Sequence, residues 1–87
     1  MAADAVTQAV NFAILVAHRL GEPRVLELSQ PQYRALRRSA DPADWTLRGA
    51  YRGLRVVRTA AGDGRVLVWD RMRETQMVQR IDWRAER

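Results

Sequence analysis

Residues 54–71 read LRVVRTAAGDGRVLVWDR, two apolar runs of β-branched and aromatic residues joined by Gly62-Asp63-Gly64 and punctuated by arginines. Their reading decides the fold. With Gly62-Asp63 as a two-residue turn the segment is a β-hairpin of type II′, and its register sets Val57 opposite Val68 and Arg55 opposite Asp70. One face then carries Val57, Thr59, Val66 and Val68, the other Leu54, Val56, Leu67 and Trp69 with Arg58, Arg65 and Arg71. Both faces are apolar, where a solvent-washed hairpin alternates, so the sheet is expected to be covered on both sides.

Outward from the hairpin, the tail 75–83 alternates Met77, Gln79, Ile81 and Trp83 against Val78, Arg80 and Asp82. Period two favours a third strand, while Met77 and Ile81 at i,i+4 leave a helix open. Toward the N-terminus, Val6, Ala9, Val10, Ala13, Ala17 and Leu20 recur at helical spacing, with Asp4 as N-cap and Gly21 as the stop, which predicts a helix over 5–20. Phe12 and Leu15 fall on the face that an ordinary surface helix keeps polar. Arg24–Leu28, RVLEL, is a short strand. Ser29 and Gln32 form a capping box, with Pro31 in the first turn of a second helix that fades near Ser39. Asp41-Pro42 starts a brief helical turn; 45–52 is ambiguous because Gly49 and Gly53 weaken any helix there. The chain thus reads as one small α+β domain, 1–87: an N-terminal amphipathic helix, a short strand, a second helix, then an antiparallel β-hairpin or three-stranded sheet.

Composition removes most chemistries. There is no cysteine, hence no disulfide or thiolate, and no lysine, hence no Schiff base or Walker-type phosphate loop. His18, the single histidine, lies on the first helix without a catalytic partner, Ser29 is a cap, and Ser39 has no base beside it. The carboxylate pairs Asp41/Asp44, Asp70/Glu74 and Asp82/Glu86 are interleaved with arginines, which fits charge balance better than metal binding. No catalytic residue, cofactor or metal is expected. The first charge is Asp4 and the apolar run Phe12–Ala17 is six residues, so neither a secretion signal nor a membrane span is expected. The expected location is cytoplasmic.

The net charge of +5 is carried by fifteen arginines and is not spread evenly: residues 1–33 sum to −1, residues 34–58 to +5 and residues 59–87 to +1. A localised basic zone suits phosphate or an acidic protein. Two resemblances bear on that choice. LSQPQYRAL, YRGLRVVRT and GRVLVWD, through Tyr33, Leu36, Gly53, Val56, Val57 and Gly64, resemble small structural and head-associated proteins of tailed bacteriophages. There a short strand and helix precede a Gly-x-x-Val-Val strand and a hairpin. The likeness covers about half the chain and implies an accessory structural protein of a phage particle, with the virion as its destination. RGLRVVRTAAGDGR resembles the wing of bacterial winged-helix regulators, which implies DNA contact by Arg37, Arg38, Arg48, Arg52 and Arg65.

The apolar surplus ranks these readings. Phe12, Leu15, Leu54, Val56, Leu67, Trp69 and Trp83 exceed what a chain of this length readily buries alone, and surplus apolar surface marks a protein interface. The expectation is a non-enzymatic assembly protein, binding a protein partner or itself through these residues with an arginine rim. DNA binding through the basic zone is the alternative.

Overall fold

The computed structural model describes residues 2–60 and 62–83 of the chain. Its elements run α1 (Ala2–Leu20), β1 (Glu22–Ser29), α2 (Gln30–Ser39), a 3-10 turn at Pro42–Asp44, β2 (Arg55–Thr59), β3 (Arg65–Asp70) and β4 (Thr75–Arg80). The α+β class is as expected, and the tail is a strand. α1 starts at Ala2, so Asp4 lies inside its first turn and is not the cap.

Sheet order is β2-β1-β3-β4, and here the structure departs from the hairpin reading. β1 lies between β2 and β3, parallel to the first and antiparallel to the second. The expected pairs Val57–Val68 and Arg55–Asp70 therefore do not form: Val57 faces Glu27 and Arg55 faces Val25. The antiparallel hairpin at the C-terminal end is β3–β4, with Leu67 opposite Val78. The physical reason lies upstream. β1, α2 and β2 form a strand–helix–strand crossover, which sets its two strands parallel and side by side. The link after Thr59 then passes over the end of β1, with Gly62 and Gly64 at positive φ.

β1 earns the central place by its side chains. Leu26 and Leu28 are fully buried beneath the helices, next to Val66 and Val68 of β3. Pro23, which cannot donate to a ladder, sits at an irregularity between Pro23 and Val25, where β1 has β3 alone as neighbour. Ser29 ends the strand and caps α2: Gln32 N–H donates to its Oγ and the Ser29 N–H donates to Gln32 Oε1 at 2.8 Å. Gly21 separates α1 from β1 for a steric reason, since a Cβ there would run into the Trp69 carbonyl oxygen.

Both helices cover one side of the sheet, α1 over β3, β1 and β4, and α2 over β1 and β2. Thr7 and Ser39 hydroxyls bond across the helix pair, and Ser39 also donates to the Ala35 carbonyl. The core unites Val10, Ile14, Leu26, Leu28, Leu36, Tyr51, Val66 and Val68 in one cluster.

Candidate protein-interaction surface

Strand register sorts the remaining side chains. Residues paired across a ladder share a face, so Arg55, Val25, Leu67 and Val78 form one row across the side of the sheet away from the helices. Val57, Glu27, Arg65 and Arg80 form the next row, and Glu22, Trp69 and Gln76 a third. Among the described residues no element lies on this side. Its apolar centre is half-buried, with Val78 still 46% exposed.

Guanidinium groups fringe that centre and are held in place. Arg24 lies 5.2 Å from the centroid of the Trp69 ring and donates to Glu22 at 3.0 Å. Arg71 donates to the other oxygen of the same carboxylate at 3.0 Å. These hydrogen bonds, from Arg24 and then Arg71, hold the Glu22 carboxyl below its ordinary 4.5. Arg65 pairs with Glu27 at 2.5 Å across the β1–β3 ladder. An apolar centre with an ion-paired rim matches the anatomy of protein interfaces.

The expected interface residues separate into four groups. Leu67 and Trp69 lie on the open sheet face. Phe12 and Leu15 are each 55% exposed on α1, away from that face. Leu54 and Val56 are corrected: Leu54 is 2% exposed inside the core, and Val56 faces the helices beside Leu26. They were grouped with Leu67 and Trp69 by a β2–β3 pairing that does not form. Trp83 packs against the core and its indole N–H donates to the Asp63 carbonyl, so it closes the sheet's end. Val25, Val57 and Val78 belong to the open face and were not singled out. Assigning RVLEL to the centre of the sheet was the signal that could have found them.

A second zone lies on the β2 side. Tyr33 of α2 stacks edge-on to Trp45 at 5.9 Å, and Trp45 meets Tyr51 at 4.9 Å. Arg58 lies over Tyr33 at 4.9 Å and Arg37 over Trp45 at 4.5 Å. The Trp45 indole N–H is buried without an acceptor among the described residues, so ring packing and the Arg37 cation hold this cluster. Of the residues expected to meet DNA, Arg37 and Arg38 are exposed on α2. Arg48 and Arg52 lie on a loop closed by the Trp45–Tyr51 and Tyr51–Leu54 bridges, so the ambiguous stretch 45–52 is not a helix. Arg52 pairs with Asp44 at 3.4 Å, and Arg65 is on the other zone with Glu27. The 54–71 segment is not a wing, because its strands are not neighbours.

Other chemistry-bearing residues are placed without a shared site. His18 is exposed near the end of α1, and the described residues contain no group of three or more histidines or carboxylates able to hold a metal. No described helix is long and apolar enough to cross a membrane. A scan against protein-family models, a search of curated proteins and a search of solved structures each found no match.

Proposed function

We propose that this chain is a non-enzymatic interaction and assembly protein that binds a protein partner through the open face of its sheet. The observation that carries this reading is the apolar row Val25–Leu67–Val78, flanked by Val57 and Trp69, on a sheet side that no described element covers. Covering each of these partly exposed side chains is worth on the order of 1–2 kcal/mol, and the arginine–carboxylate rim gives the contact its orientation. The resemblance of LSQPQYRAL, YRGLRVVRT and GRVLVWD to phage head-associated proteins supports an accessory structural role in a phage particle as the specific form.

The test is recovery of the native complex with tagged chain, followed by the same experiment with Leu67→Asp and with Val78→Asp. Each variant should keep its far-UV circular dichroism and lose the partner. Retention of the partner by both variants sinks the sheet-face reading.

A second reading is supported by one specific observation. Arg34, Arg37, Arg38, Arg48, Arg55 and Arg58 have no carboxylate within ion-pairing distance among the described residues. They leave the α2 and β2 side with uncompensated positive charge, which suits nucleic acid or an acidic protein surface.

A further inference from the structure

The sheet ends in two strands of opposite character. β2 is five residues long and carries Arg55 and Arg58, so two copies of that edge would repel. β4 reads Thr75-Gln76-Met77-Val78-Gln79-Arg80 and is uncharged until its last residue. Edge strands expose unpaired N–H and C=O groups, and natural proteins protect them with charge, proline, bulges or brevity. The centre of β4 has no charge or proline, and its ladder with β3 runs without a register shift.

What β4 does have is a carboxylate just before it and a guanidinium at its end. Glu74 and Arg80 have no ion-pair partner among the described residues. Under antiparallel two-fold pairing, the start of one strand meets the end of its mate. The register centred on Met77 sets Thr75 against Gln79 and brings Glu74, in the turn at positive φ just before the strand, next to Arg80 at the end of the second copy's strand, twice. No like charges oppose each other, so the edge is complementary to itself.

The helix above this edge is prepared in the same way. Thr7 and Asn11 mark the flank of α1 that faces α2 and its loop, through their bonds to Ser39 and to the Tyr51 hydroxyl. Phe12, Val16 and Leu20, spaced four apart, occupy the opposite flank. Because α2 rides over β1 and β2, that flank faces the β4 edge, and it leaves Phe12 55% and Leu20 43% exposed. We propose that two copies of this chain pair antiparallel through β4 into one eight-stranded sheet, with the Phe12–Val16–Leu20 flanks of the two α1 helices closing over the seam.

Dimensions allow it. Strands about 4.8 Å apart place α1, which rides over β3 with β1 and β4 on either side, about 14 Å from its mate across the seam. Directly packed helices lie about 8–10 Å apart, and paired phenylalanine and leucine side chains fill the difference. This self-contact uses a different surface from the sheet face and stands apart from the identity of any partner there.

Light scattering and sedimentation of the full chain should show a concentration-dependent dimer of twice the 10.0 kDa chain mass. Glu74→Arg alone or Arg80→Glu alone turns both end contacts repulsive and should weaken the dimer roughly tenfold or more. The double variant Glu74→Arg/Arg80→Glu should restore it, and Phe12→Asp should weaken it without altering circular dichroism. Leu67→Asp should leave it intact, which separates this contact from the sheet-face reading. A chain that stays monomeric at every concentration overturns the proposal. So does a dimer indifferent to the single reversals, or one that the double reversal fails to restore.

Discussion

Tyr51 ties the loop after α2 to the rest of the molecule. Its ring is fully buried and its hydroxyl donates to Asn11 Oδ1 at 2.6 Å, across forty residues of chain. Burial, ahead of the opposing effect of Arg52, raises its pKa above the ordinary 10.0. A group whose folded pKa is raised holds its proton more tightly in the folded state. Its contribution to stability is therefore whole below the unfolded value and is lost as pH climbs through the folded one. Tyr51→Phe should cost about 1 kcal/mol near neutrality by removing the hydrogen bond. Between about pH 9 and about pH 11 the variant should lose less stability than the parent, because its buried ring has nothing to ionise. Urea unfolding at a series of pH values measures both effects. This bond was not legible in the sequence, since nothing near Tyr51 in the chain indicates Asn11.

Among the elements, those built from local chemistry were legible and those built from distant pairing were not. The α2 start was readable because a capping box is complete within four residues, and the structure shows both of its hydrogen bonds. Asp41 caps the 3-10 turn for the same reason, accepting from Ala43 N–H at 2.9 Å. The strands of 54–71 were each placed correctly, but their partner was not, because a run of alternating apolar residues specifies a face and not a neighbour. RVLEL is the element that mattered, and a strand before a capped helix and a further strand carries the crossover pattern. The consequence for the site is direct: with β1 in the middle, Leu54 and Val56 turn to the core, and Val25, Val57 and Val78 join Leu67 and Trp69 outside. Ser29 belongs to both halves of that crossover, as the end of β1 and the cap of α2. Ser29→Ala should cost about 1 kcal/mol, read as a lower midpoint of unfolding with unchanged denaturant slope.

At the scale of the whole molecule the two sides of the sheet's long direction differ in charge organisation. Arginines of the β1–β3 region are ion-paired, Arg24 and Arg71 sharing Glu22, Arg65 with Glu27, and Arg73 with Asp70. Those of α2 and β2 are not, so the net charge of +5 acts mainly from one side. Pairing through β4 would set two such sides at the far ends of the dimer, clear of the seam. This arrangement makes position, and not total charge, the variable that governs contact with a polyanion. Two triple variants test it, Arg34→Gln/Arg37→Gln/Arg38→Gln and Arg24→Gln/Arg71→Gln/Arg73→Gln, each lowering the formal charge by the same amount. The α2 triple should bind duplex DNA or heparin more weakly than the parent, and on duplex DNA its dependence of log affinity on log salt should be shallower by up to about 2.7. The second triple removes cations that lie beside Glu22 and Asp70, away from the α2–β2 side, and should lose less affinity than the α2 triple. Equal losses in both would show that the chain acts as a diffuse cation, and would remove the basis for assigning an anionic partner to the α2–β2 side.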